Sequence, residues 1–233
     1  MDKEYTAVLF DLDGTLIDFR ACESNSIRRA LHSVGISLGE SLKWEEFWQT
    51  YAPIKSRYWE RRNRGEMTRE EAILNSIRDS LAVLRLEESL ARSVAKAYFR
   101  LFLNSNYAQP GAEETLRLLE GRFLLGLVSN GYKDAQRGRL EAAGLTQYFP
   151  TIIVSEEVGY EKPDPRIFQI ALSEMRVTSC DTIYVGDSIE HDYKGALAAG
   201  IDFCHYDPSK LKPELDPEPV LRIGTLRELI DRI

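Results

Sequence analysis

The sequence predicts an α/β fold: a Rossmann-like three-layer core built on a parallel β-sheet, with an all-helical domain inserted into it. Two observations carry this. Short apolar runs recur at Tyr5–Phe10, Phe123–Val128, Thr151–Val154, Thr182–Gly186 and, more weakly, Asp202–Tyr206, and helix-length segments separate the later ones. Strands that alternate with helices of ten or so residues require βαβ crossovers, hence a parallel sheet covered on both faces. The second observation is that residues 17–103 hold no convincing strand. That stretch is too long for a loop and must bury its own apolar faces. The expected division is therefore a core of 1–16 and 104–233 and a helical insert of 17–103.

The insert reads as four amphipathic helices, Ser24–Val34, Trp44–Arg62, Thr68–Leu84 and Glu88–Leu103, with Thr68 and Glu71 spaced as a capping box. In the core, Ala112–Leu119 follows Pro110-Gly111 and carries Glu113 and Glu114 in its first turn, where carboxylates suit the helix dipole. Lys133–Ala143 stops at Gly144, and Asp164-Pro165 opens a helix to Met175 with an N-cap carboxylate and proline at N1. A helix over Asp192–Ala199 ends at Gly200, and Thr225 with Glu228 predicts a final helix. Lys210–Pro219, with its three prolines, reads as a surface excursion.

Composition narrows the function. The chain has 233 residues, 30 Lys+Arg and 37 Asp+Glu, a formal charge of −7. An acidic balance argues against nucleic-acid binding, and no apolar run approaches a membrane span. Met1-Asp2-Lys3-Glu4 is unlike a signal peptide, so a cytoplasmic protein, monomeric or weakly dimeric, is expected. Cys22, Cys180 and Cys204 are odd in number and far apart, which offers neither a disulfide framework nor a metal knuckle.

Ligands of open α/β sheets bind beyond the carboxyl ends of the strands. There the sequence places Asp11 and Asp13, then Ser129 and Asn130, then Lys162, then Asp187 and Asp192. Clustered carboxylates raise one another's pKa and repel an anionic substrate; a hard divalent cation removes both problems, so Mg²⁺ is the expected cofactor. Asp187 would complete the metal site, with Asp192 a ligand or an orienter. Lys162 suits a phosphate oxygen, and Ser129 and Asn130 can offer hydroxyl, amide and backbone donors to an anion. The set fits phosphoryl transfer. Side chains at i and i+2 of extended backbone share a side, so Asp11 as nucleophile and Asp13 as general acid/base could reach one phosphorus atom. Outside this set, His191 is expected to be a bystander. The aromatics of Trp44–Trp59 are expected to form core, with base stacking the alternative, and Arg57, Arg61, Arg62 and Arg64 a solvated face.

Phe10-Asp11-Leu12-Asp13-Gly14-Thr15-Leu16, Ser129-Asn130-Gly131, Lys162-Pro163-Asp164 and Gly186-Asp187-Ser188 with Asp192 resemble, in order, the four motifs of the haloacid dehalogenase (HAD) superfamily. The insert resembles its C1-type cap. The resemblance implies Asp11 as nucleophile, forming an aspartyl-phosphate, and Asp13 as acid/base and backbone-carbonyl ligand of Mg²⁺. It also implies Asp187 as a metal ligand, with Ser129 and Lys162 on the phosphoryl group. Asp18-Phe19 with Glu23, Ser129-Asn130-Gly131-Tyr132 and Ser155-Glu156-Glu157-Val158-Gly159 are similar to the noncanonical pyrimidine nucleotidases. That narrower likeness implies a nucleoside 5′-monophosphate substrate. A sugar phosphate or phosphoglycolate phosphatase, a phosphomutase and a phosphate- or nucleotide-binding sensor with little turnover are the alternatives. Asp13 counts against a dehalogenase, which characteristically lacks an acid there.

Overall fold

The computed structural model describes residues 4–37, 39, 43–211 and 214–233. The chain divides into two compact units, one of residues 21–104 and one formed by the flanking segments up to 20 and from 105.

Six strands make one sheet in the order β3-β2-β1-β4-β5-β6. They are β1 (Ala7–Phe10), β2 (Leu124–Ser129), β3 (Thr151–Val154), β4 (Thr182–Gly186), β5 (Asp202–Tyr206) and β6 (Leu221–Ile223). All neighbours pair parallel; β1 is central, with Leu9 opposite both Gly126 and Tyr184. The chain winds outward from β1 in both directions, so its crevice lies where β1 and β4 part, beyond their carboxyl ends. Strands buried on both faces need continuous apolar runs, and Ala7–Phe10 and Thr182–Gly186 are buried throughout.

The helices that build the crossovers are α5 (Ala112–Leu119), α6 (Lys133–Ala142), the single turn α7 (Ser155–Val158), α8 (Pro165–Met175) and α9 (Lys194–Ala198). Asp164 caps α8 by accepting the Arg166 amide at 2.9 Å, ahead of Pro165. α8 buries Ile167, Phe168, Ala171 and Met175, and Phe168 meets Tyr184 edge to face at 4.9 Å. Gly126 permits this packing: a Cβ there would lie 2.6 Å from both the Leu9 side chain and the Met175 sulfur. Two expectations fail here. The segment expected to be one helix from Asp192 is a π-turn over Ile189–Tyr193 followed by the short α9. The Thr225–Glu228 pair caps only a 3₁₀ turn, Leu226–Leu229, since the capping signal specifies a start and not a length. β6 went unread because three residues carry no visible period, and Lys212-Pro213 of the expected excursion lie outside the described residues.

The unit 21–104 is helical, with no strand among its described residues. It consists of most of α1 (Phe19–Ser33), with α2 (Trp44–Asn63), α3 (Arg69–Val83) and α4 (Ala91–Leu103). Glu88–Leu90 forms a separate 3₁₀ turn before α4, so the expected fourth helix starts three residues late. Thr68 and Glu71 close their capping box, at 3.2 and 2.8 Å. Thr68→Ala should lower stability by about 1 kcal/mol in denaturant unfolding; an unchanged midpoint would show the box to be idle. α2 packs on α3, and its aromatics form a ladder in which Phe47 stacks on Trp44 at 5.9 Å and on Tyr51 at 5.6 Å. Phe47 and Tyr51 are wholly buried, which favours the core reading of this cluster. The hydroxyl of Tyr51 is buried without a hydrogen-bond partner among the described residues, while nearby Glu23 pairs with Lys55 at 2.5 Å. Removing an unsatisfied buried hydroxyl relieves its desolvation, so Tyr51→Phe should stabilise the protein by about 1 kcal/mol. A lower midpoint would mean that the hydroxyl has a partner. Arg61 and Arg64 reach the exposed Glu66 at 2.9 and 2.6 Å, as a solvated face should. All three cysteines are free. No helix among the described residues is long and apolar enough to cross a membrane.

Candidate active site

Four loops leave the carboxyl edge of the sheet, and each brings one part of the site. β1 ends at Phe10 and presents Asp11, 5% exposed. The backbone does not continue as a strand to Asp13. Leu12 carbonyl accepts from Leu16 and Ile17, and Gly14 N–H donates to Ile17, so residues 12–17 form a closed turn. Asp11 N–H still bonds the Val185 carbonyl at 2.9 Å, and Asp13 forms a bridge with Ile17 inside this turn. Gly14 has φ +93°, and a Cβ on it would fall on the Asp187 carboxylate.

Lys162 reaches the centre from the loop before α8 and is 3% exposed. Its ammonium donates to Asp11 Oδ1 at 2.5 Å, Asp192 Oδ1 at 2.7 Å and the Tyr184 hydroxyl at 2.8 Å. Oδ2 of Asp11 accepts no hydrogen bond from the described residues. Asp192 Oδ2 accepts the Ser188 N–H at 2.9 Å, and Asp187 Oδ1 lies 3.4 Å from the Thr15 hydroxyl. Asp192 is thus largely taken up in fixing Lys162 and the loop after β4.

Asn130 departs from expectation. Its carboxamide clamps the backbone of Lys162, accepting from the Lys162 N–H at 2.7 Å and donating to its carbonyl at 2.9 Å. The amide group expected to face an anion is therefore already engaged in placing the lysine. His191 Nδ1 lies 3.1 Å from that same carbonyl, a contact with loop backbone. Ser129 ends β2, buried, with its Oγ 2.9 Å from Gln136 Nε2.

Oxygens of Asp11, Asp187 and Asp192 all lie within 4.8 Å of one another. One ammonium faces these three carboxylates, so charge in the pocket is uncompensated by about two units if all are ionised. Burial pushes the Asp11 carboxyl well above its usual range, against the pull of Lys162 and with Asp192 and Asp187 adding to the rise. Burial and then Asp192 raise Asp187 to about 6. Burial opposes the Lys162 charge, but Asp11 and Asp192 outweigh it and hold the ammonium above its ordinary value. An all-oxygen donor set with surplus negative charge fits a hard divalent cation and lacks the His/Cys ligands of a zinc site.

The haloacid dehalogenase-like hydrolase family model matches residues 5–200, which span all four of these loops. The chain belongs to that family. YfnB of Bacillus subtilis, a HAD-hydrolase, is 31% identical over 97% of this chain and 94% of its own length. A crystal structure of YfnB bound to magnesium matches with a TM-score of 0.80 and 28% identity, covering 98% of each chain. The pyrimidine 5′-nucleotidase PynA of Streptococcus pneumoniae is 27% identical over 97% of this chain and 94% of its own length. A glyceraldehyde 3-phosphate phosphatase of Methanopyrus kandleri is 29% identical over 97% and 95%.

Within this HAD-type core, sequence reasoning missed three side chains. Tyr184 joins Lys162 and Asp192 from the middle of β4, and also lies 3.1 Å from the Val128 carbonyl. Gln136 and Arg139 approach Asp13 from α6. Each had a signal: a hydroxyl-bearing ring in a wholly buried strand, and two polar residues on the same buried helix stripe as Ala135 and Leu140.

Proposed function

We propose that this protein is a Mg²⁺-dependent phosphomonoesterase that works through an aspartyl-phosphate on Asp11. The observation that carries the reading is Lys162, buried between Asp11 and Asp192 beside Asp187: one fixed cation in a carboxylate cluster at the sheet's switch point. Asp11 and Asp187, with the Asp13 carbonyl as the family resemblance implies, would hold Mg²⁺, and Asp192 would serve as a further ligand or as the orienter of Lys162. Bound there, it would supply charge neutralisation at the transferring phosphoryl group.

The chain's own groups have distinct tasks. Oδ2 of Asp11 is the oxygen left open for attack, while Lys162 fixes Oδ1 and balances charge that gathers on the phosphoryl oxygens. As the ester P–O bond breaks, Asp13 gives a proton to the leaving oxygen. Asp13 then takes a proton from the attacking water as the Asp11–phosphorus bond breaks. Ser129 offers its hydroxyl to the phosphoryl group. Asn130 does its work one step away, through the Lys162 backbone. The helical unit is read as the part that selects the substrate.

The preferred substrate class is a pyrimidine nucleoside 5′-monophosphate. The whole-chain likeness to PynA and the segments Asp18-Phe19 with Glu23 and Ser155–Gly159 support it. A small sugar phosphate is the second reading, favoured by the similarity to the Methanopyrus enzyme. Phosphate release should be measured across nucleoside monophosphates, sugar phosphates and phosphoglycolate, with Mg²⁺ and with chelator. Release from dUMP or dTMP above all others, lost in chelator, is the expected result. Sugar phosphates ahead of nucleotides would overturn the substrate reading, and no release with Mg²⁺ from any ester would overturn the phosphatase reading.

A further inference from the structure

The reaction set out above leaves two buried side chains of α6 without a task. Arg139 is 1% exposed and Gln136 2%. A guanidinium buried on a helix face that also packs Ala135 and Leu140 is costly, and an apolar residue would fill the same space. What Arg139 gains there is Asp13. Its Nη1 donates to Asp13 Oδ1 and its Nη2 to Oδ2 at 2.8 Å, a two-pronged grip on both carboxylate oxygens. The guanidinium is itself held, by Nε donating to the Ala135 carbonyl at 3.1 Å and by the Phe19 ring, 5.6 Å from its carbon.

Gln136 extends the grip. Its Oε1 accepts from Arg139 Nη2, which turns its Nε2 toward Asp13 Oδ2 at 3.0 Å, Ser129 Oγ at 2.9 Å and the Asn130 carbonyl at 2.5 Å. One amide therefore joins the carboxylate read as acid/base to the loop read as the phosphoryl cradle. Asp13 stands on a turn, where its side-chain torsions would otherwise be free to rotate. A planar fork that binds both oxygens fixes the plane of the carboxylate as well as its position, which a lysine point charge cannot do.

We propose that Arg139 and Gln136 are positioning residues for proton transfer: together they set the orientation of Asp13 relative to the Ser129 loop. The proposal rests on the reading of Asp13 as the general acid. Its chemical consequence depends on the leaving group. A sugar or nucleoside alkoxide must take a proton as its P–O bond breaks, so a misaimed Asp13 slows that step. A p-nitrophenolate leaves as the anion and needs none.

The test is leaving-group release in single turnovers with enzyme in excess and Mg²⁺ present, using p-nitrophenyl phosphate and a nucleoside monophosphate. Asp13→Asn should slow the nucleotide on the order of 100-fold and the aryl ester less than about threefold. Arg139→Met should reproduce that pattern, Arg139→Lys should lie between it and the native protein, and Gln136→Met should show a smaller loss with the same selectivity. Thermal melting of each variant accompanies the kinetics, and Gln136→Met carries the test if Arg139→Met does not fold. Equal slowing of both esters, or no slowing, in the Arg139 and Gln136 variants beside a selective Asp13→Asn would overturn the positioning role alone. An Asp13→Asn that is itself unselective would overturn the acid assignment, and the positioning role with it.

Discussion

Asp11→Asn is expected to lose phosphate release by at least about 10⁴-fold with Mg²⁺ present, because it removes the attacking oxygen rather than one contact to the substrate. The loss should appear in kcat. The fold should survive: the amide oxygen can still accept from the Lys162 ammonium, now at 2.5 Å from Oδ1, and a buried charge that burial and two neighbouring carboxylates disfavour is gone. The melting temperature of Asp11→Asn in chelator is therefore expected to equal or exceed that of the native protein. Turnover within tenfold of native would remove Asp11 from the role of nucleophile. An unfolded Asp11→Asn would mean that the Asp11–Lys162 pair is needed structurally, and Asp11→Glu, which keeps the charge, would then separate the two roles.

Asp187→Asn carries the second large effect, and it reads on stability as well as rate. In the metal-free protein the Asp187 carboxyl is raised to about 6 by burial and by Asp192. Between its unfolded value near 4 and about 6, the folded state holds more protons than the unfolded one, so stability falls as pH rises through that window. Above it the whole cost is present. Asn carries no charge, so in chelator near pH 7.5 Asp187→Asn should melt higher than the native protein, and the gap should close toward pH 4. Added Mg²⁺ should reverse the order. Ligand at about 100 times its dissociation constant adds about 2.7 kcal/mol, several degrees in a chain of this size, to the native protein and little to the variant. Activity should fall about 100-fold or more. Equal Mg²⁺-dependent shifts in both proteins would place the cation elsewhere.

The residues at the sheet edge were legible because a parallel sheet delivers whatever follows its strands to one place. Asp11, Ser129, Lys162 and Asp187 needed only the strand ends to be found. Side chains that reach in from a helix or a strand interior follow no such rule. Arg139 and Gln136 lie on the buried face of α6, where only the anomaly of a cation in an apolar stripe marks them. Tyr184 is hidden in TIYVG, a run that any buried strand would accept. The Asn130 carboxamide could be read as a donor set for an anion, but its use by the Lys162 backbone depends on a loop 32 residues away. The same limit governed the fold. Long periodic segments such as Thr68–Leu84 came out close to the observed Arg69–Val83, whereas the three-residue β6 and the 3₁₀ turn after Thr225 depend on packing that local pattern does not encode.

The account turns on phosphorus passing through Asp11, and Asp13→Asn offers a direct view of it. With p-nitrophenyl phosphate the leaving anion needs no proton, so Asp11 should still be phosphorylated, while the variant lacks the base that readies water for the second step. Mixed rapidly with this ester and Mg²⁺, Asp13→Asn should release one equivalent of p-nitrophenolate per protein in a burst, then slow sharply. Acid-quenched protein should carry one phosphoryl group on the peptide containing Asp11. Linear release without a burst and with no phosphorylated peptide, or a phosphoryl group on Ser129 or another residue, would contradict the account.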